Sequence, residues 1–115
     1  MEVGKEMDGI FLKYVGKGVL NKAKVKKILG RMREWDGKKA IYLVEGNTGS
    51  NTLIVIVEKT DSGLDVFCSC LAFSTGKICS HAITTLSDLA ERDKTLIPYI
   101  ENWLKSRKEV KADGN

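Results

Sequence analysis

All three cysteines and the single histidine of this 115-residue chain lie in one short stretch: Cys68-Ser69-Cys70, then eight residues, then Cys79-Ser80-His81. Three thiolates and one imidazole complete a tetrahedral donor set for zinc. The spacing constrains the fold as much as the chemistry. On an extended strand, residues i and i+2 point to the same face, so Cys68 and Cys70 aim both sulfurs one way. The second pair opens a segment of helical character, His81 to Ala90. A strand end and a helix start are therefore expected to meet at one metal ion.

Other uses of these residues fit less well. A disulfide leaves one cysteine unpaired, and the chain is read as lacking the export signal that an oxidising compartment requires. Inert buried cysteines occur singly rather than as a CxC followed by a CxH. Catalytic zinc keeps three protein ligands and an open position, whereas four donors close the shell. The HxE…PCxxC arrangement of zinc deaminases is absent. The expectation is one structural Zn2+ held by Cys68, Cys70, Cys79 and His81. Three thiolates and a divalent ion leave a net charge of −1. Lys77 and the free N–H groups of the helix start are candidates to stabilise those sulfurs.

Around this cluster the chain reads as one domain, long enough to bury a core without disulfides. Its longest apolar run, Leu53 to Val57, is strand-sized and far short of the ~20 residues of a membrane span. Reduced-type cysteines and the absence of an export signal place the expected location in the cytoplasm, or in the nucleus of a eukaryote. The net charge of +4 is unevenly spread. Between Lys13 and Lys39 ten bases face only Glu34 and Asp36, a local +8 that leaves −4 for the remainder. Such asymmetry points to an anionic partner on one side of the protein.

Residues 1–18 read as a lead-in arm, with Gly16-Lys17-Gly18 as a flexible break. Residues 19–36 read as a basic amphipathic helix, because Val25, Ile28, Leu29 and Met32 follow the i, i+3, i+4, i+7 pattern and Trp35 extends it. Asn21 is its expected N-cap. Residues 40–45, 52–58 and 64–68 read as three strands, with a hairpin loop at 46–51 and a turn at Asp61-Ser62-Gly63. The second of these, Leu53 to Val57, is apolar on both faces and is expected to be covered on both sides. Residues 80–92 should be helix, with Ile83, Leu86, Leu89 and Ala90 facing the sheet. A last helix is expected over 95–108, with Pro98 tolerated in its first turn. Residues 109–115 have nothing to bury and are expected to be disordered.

The CxC pair with Leu71-Ala72-Phe73 after it, the eight-residue gap, the CxH pair and the apolar helix together resemble the SWIM zinc finger. In that family a CxC, a variable gap and a CxH sit in a ββα unit. The resemblance spans about residues 40–92 and implies an α+β fold: a small three-stranded antiparallel sheet carrying the zinc-bound finger, flanked by an N-terminal and a C-terminal helix. Short standalone SWIM chains resemble recombination accessory subunits that pair with paralogs of the strand-exchange recombinase. Their motif extends to CxHxxA, and Thr84 stands at the last position here.

The resemblance implies a non-catalytic accessory role in DNA recombination or repair, with a recombinase-family ATPase as protein partner. A general nucleic-acid-binding regulator is the alternative. Lys22, Lys26, Lys27, Arg31, Arg33, Lys38 and Lys39 are the candidate phosphate contacts, although lysines opposite an apolar stripe also mark any solvated helix face. Tyr99 and Trp103 are candidate interface anchors, against the alternative that the last helix packs on its own sheet. No enzyme is expected, because the only imidazole and every thiol are used as metal ligands.

Overall fold

A computed structural model describes residues 3–46 and 51–113. The sheet is four-stranded and antiparallel rather than three-stranded, in the order β1 (Ile28–Arg33), β2 (Lys39–Glu45), β3 (Thr52–Thr60) and β4 (Gly63–Cys68). β2 and β3 pair without interruption from Lys39↔Glu58 to Glu45↔Thr52. The Gly46 N–H donates to the Asn51 carbonyl at 2.8 Å across the base of their connection. The expected hairpin loop over 46–51 falls partly on residues 47–50, which lie outside the described residues. β3 and β4 join through the two residues Asp61 and Ser62, with Gly63 at φ +146.

The additional strand occupies part of what the periodicity reads as a helix. The stretch 19–36 is not one helix: α2 (Lys17–Val25) stops at Lys26, whose ψ of 143 is extended, and β1 follows. Gly30 at the centre of a helix would cost about 1 kcal/mol relative to alanine. As a strand, the same backbone gains a ladder with β2, interrupted by irregularities at Leu29 and Met32. The proposed stripe is consequently scattered, with Val25, Leu29 and Met32 at 77%, 52% and 68% exposure. Asn21 is interior to α2, and Gly16 is the residue that precedes its first turn.

Residues 1–18 are also more than a lead-in arm. α1 (Val3–Leu12) buries Met7, Ile10 and Phe11, an i, i+3, i+4 face that its glycines disguise in the sequence. α3 (Leu71–Ser74) is a single turn, and α4 (Ser80–Arg92) runs over the residues expected of it. A 3₁₀ turn at Lys94–Leu96 leads into α5 (Ile97–Asp113), which carries helix into the 109–115 stretch expected to be disordered; residues 114–115 lie outside the described residues.

α4 is the pivot. It packs across β2, β3 and β4 and against α1 and α2, and its residues Ala82, Ile83, Leu86, Leu89 and Ala90 are buried. α5 lies against β4 and α1. The buried side chains of the sheet, Ala40, Tyr42, Val44, Val55, Val57, Leu64 and Cys68, all lie on the face toward these helices. The opposite face is not covered, contrary to the expectation for β3: Ile54 is 37% exposed, and Ile41, Leu43 and Ile56 are only partly buried. None of the described helices reaches membrane-spanning length and apolarity.

Candidate metal centre

Local structure, rather than chance proximity, brings the four donors together. Cys68 is the last residue of β4, and Cys70 precedes the first turn of α3. The Cys70 Sγ accepts the Phe73 N–H at 3.3 Å. Cys79 repeats the arrangement at α4, its Sγ accepting the Ala82 N–H at 3.4 Å. Both cysteines thus sit where serine or aspartate often caps a helix, and each N–H donor stabilises a sulfur anion. His81 lies in the first turn of α4, two residues after Cys79.

The loop between the pairs is set by a Schellman turn. The Lys77 N–H reaches the Ala72 carbonyl at 3.2 Å and the Gly76 N–H reaches that of Phe73 at 3.0 Å, with Gly76 at φ +93. That left-handed conformation favours glycine, so Gly76 is the residue that lets α3 end abruptly and turn back toward Cys79.

The ligand atoms of Cys68, Cys70, Cys79 and His81 all lie within 4.8 Å of one another, and all four residues are buried. A tetrahedral zinc with bonds of ~2.3 Å separates its donors by about 3.8 Å, so the set needs only a small contraction to close on an ion. The donors also demand one. Both ring nitrogens of His81 are buried without a hydrogen-bond partner. An orphaned buried imidazole is costly, and coordination satisfies one of its nitrogens. Among the sulfurs, protons are shared unequally. The hydrogen bond from Cys68 holds the Cys79 thiol down to about 4, against the opposing effect of burial. Cys68 is pushed up by that same bond and by burial, and Cys70 chiefly by burial. One structural zinc ion fits this site, with no fifth position offered by the closed donor set.

A partly buried cation that the spacing does not suggest also acts on the sulfurs. Lys77 is exposed, whereas Arg107 of α5 stacks 3.7 Å from the Phe73 ring centroid and donates to the Phe73 and Lys77 carbonyls. Burial lowers its basicity, while Cys79 and Cys70 favour its charged form. Arg107 therefore holds the inter-pair loop from outside and offsets thiolate charge. The signal available in the sequence was its i+4 relation to Trp103, which stacks on the same Phe73 with centroids 6.2 Å apart. Trp103 and Tyr99 are partly buried against the core, and Lys59 lies over the Tyr99 ring at 4.7 Å.

The seven candidate phosphate contacts are spread over several elements instead of one helix. Lys22 is on α2, Lys26 and Lys27 link α2 to β1, Arg31 and Arg33 are on β1, Lys38 precedes β2 and Lys39 begins it. Two are engaged within the fold. Arg33 pairs with Asp36 at 2.8 Å. Arg31 pairs with Asp88 of α4 at 3.1 Å and lies 5.2 Å from the Tyr42 ring centroid. Among the described residues no ion pair involves Lys22, Lys26, Lys27, Lys38 or Lys39. Lys22 and Lys77 line one cleft with Ile78, Cys79, Ser80 and His81, which places cationic side chains beside the second ligand pair.

Asp88 is a structural centre that the periodicity did not single out. It accepts hydrogen bonds from the Tyr42 hydroxyl, from Arg31 and, at 2.8 Å, from Arg92. Burial opposes its ionisation, but these donors prevail and hold its carboxyl below the usual range. The Tyr42 hydroxyl is pushed up to about 12 by burial and by the neighbouring carboxylate. Thr84 has a comparable role: its hydroxyl lies 2.8 Å from the Ala23 carbonyl, in the last turn of α2, and 3.0 Å from that of Ser80. A methyl group at that position could not make this tie.

Comparison with known families agrees with the geometry. Residues 51–90 match the family model described as the SWIM zinc finger, a span that takes in β3, β4, the four donors and most of α4. Neither a curated protein nor a solved structure matches the chain.

Proposed function

We propose, for a chain whose residues 51–90 match the SWIM zinc finger, a non-catalytic accessory role in DNA recombination or repair. In this reading the zinc fixes the fold, and the surface around the finger brings a recombinase-family ATPase and DNA together. One observation carries it: Lys22 and Lys77 share a cleft with the second ligand pair, so unneutralised cations adjoin the metal-ordered surface. Lys26 and Lys27 continue that charge from the end of α2, and each phosphate neutralised makes binding steeper in salt; Lys38 and Lys39 lie apart from it, at the Glu58–Asp65 end of the sheet. The protein has no catalytic part in this scheme, because every thiol and the only imidazole are in the cluster. The cytoplasm, or a nucleus, is where such work takes place.

Binding of labelled single- and double-stranded DNA by the zinc-loaded protein, measured against salt, tests the nucleic-acid part. Replacing Lys22, Lys26 and Lys27 with Glu is expected to abolish binding and leave the melting temperature within a few degrees of the parent. Unchanged affinity at low salt would falsify the assignment. Co-purification of the tagged protein from its own cells, followed by mass spectrometry, tests the partner. DNA binding without capture of any ATPase favours the second reading, a general nucleic-acid-binding regulator, which the unpaired lysines also support.

A further inference from the structure

The helices cover one face of the sheet, and the register defines what the other presents. One cross-strand row is Leu43 and Ile54; the next is Arg33, Ile41, Ile56 and Phe67; the one beyond is Lys39, Glu58 and Asp65. Ile41, Leu43 and Ile56 are only partly buried, Ile54 is 37% and Phe67 52% exposed, and the Phe67 ring meets Phe73 edge-on with centroids 6.2 Å apart. Two apolar rows therefore lie open to solvent, bordered by charge. In the last of these rows the charge is ordered, with the base on β2 and the acids on β3 and β4, while Glu45 stands at the far end of β2 on the same face. Lys39 and Glu58 are direct cross-strand neighbours, yet no ion pair among the described residues involves Lys39, Glu58 or Asp65.

We infer that this face is a contact between two copies of the chain, stacked about a two-fold axis parallel to the strands. Such an axis exchanges the left and right halves of the sheet while keeping each row at its level. β2 then lies over the β3 of the second copy, and β1 over its β4. Leu43 meets Ile54, Ile41 meets Ile56, Arg33 meets the ring of Phe67, and Lys39 meets Glu58. An isologous contact must be self-complementary, and a face that is basic on one side and acidic on the other in the same row meets that condition. Aligned stacking of two sheets about 10 Å apart is an ordinary way to cover such a surface. The balance of acids and bases also makes the face a poor phosphate surface, so this contact and the lysines beside the finger are separate. Four strands at ~4.8 Å spacing and six residues at ~3.4 Å rise give roughly 400 Å² in projection. That is about half of the ~800 Å² per partner in a standard interface, so the association is weak and concentration-dependent.

Sedimentation equilibrium of the zinc-loaded chain, from micromolar to millimolar concentration, reads the result. A reversible monomer–dimer equilibrium is expected, and Ile54→Lys should weaken it by about tenfold or more, the scale of a charge forced into an apolar contact. K39E alone and E58K alone should each weaken it, since each sets like charges against one another. Mixing the two single variants in equal amounts should restore dimers, because every 39–58 contact across the mixed pair is then opposite in sign. Thermal melts check that each variant is folded, and the exposed charge exchanges keep the test alive if Ile54→Lys is not. A wild type that remains monomeric, or a mixture that stays as weak as its parts, overturns the inference. So does a monomer in which Ile54→Lys abolishes capture of some other protein.

Discussion

The finger and the segment from Lys17 to Lys39 are built on opposite plans. In the finger, four side chains converge on one point, and both helices there begin at a ligand. In the earlier segment no such centre exists. The segment is attached to α4 and to the residue that follows it by dispersed polar ties: Thr84 to the Ala23 carbonyl, Asp88 to Arg31, and Asp93 to the Trp35 indole at 2.9 Å. A concentrated anchor fails all at once, whereas dispersed ties fail one by one.

The largest effect is expected from breaking the anchor. Apparent zinc-folding energies of ~10–16 kcal/mol rival the ~5–15 kcal/mol stability of a whole domain. Cys79→Ser, or chelation of the parent, should abolish the cooperative melt and most helical circular dichroism, because α4 covers three strands of the sheet. Retention of a full melt without stoichiometric metal would show that the anchor is dispensable.

Asp88→Ala sharpens the contrast from the other side. It removes a partly buried carboxylate that joins β1, β2 and α4, at a cost of about 2 kcal/mol for charged hydrogen bonds of this kind. Zinc stoichiometry should be unchanged, and amide exchange should accelerate in β1 while the finger stays protected. Uniform acceleration throughout the protein would mean that the two regions are not separable.

The same carboxylate makes a pH prediction. Its folded-state ionisation lies below the usual carboxylate range, so its stabilisation is complete above that range. It is lost as pH falls through the lowered value. The stability gap between the parent and Asp88→Asn should therefore be constant near neutrality and shrink in acid. Comparing the two proteins at each pH cancels their shared loss of metal; a gap that widens in acid would contradict the assignment. The smallest effect is Thr84→Ala, about 1 kcal/mol for one buried hydrogen bond, read as a lowered melting temperature with metal content intact.

The same contrast explains what could be read from the chain. The ligand set, β2 to β4 and α4 were legible because each is fixed by a signal within a few residues: the CxC and CxH pairs, alternating strands, and turn residues such as Ser62-Gly63. The segment 17–39 was not, because an edge strand with two irregularities has no clean period of two. Its apolar residues matched a helical template by coincidence, and pairing with β2 decided the outcome. α1 was hidden by Gly4 and Gly9, which lower helix propensity while Met7, Ile10 and Phe11 supply a buried face. Arg107 could not be assigned a role without the fold, since its partners lie 34 and 30 residues earlier.

The placement of Arg107 bears on portability. The matched span ends at residue 90, yet the guanidinium that grips the turn between the donor pairs comes from beyond it, alongside Trp103. A transplanted 51–90 cassette would carry all four donors and leave its clasp behind. Grafts of this motif into other scaffolds should therefore include α5, or supply a substitute arginine, if the coordination sphere is to keep its shape.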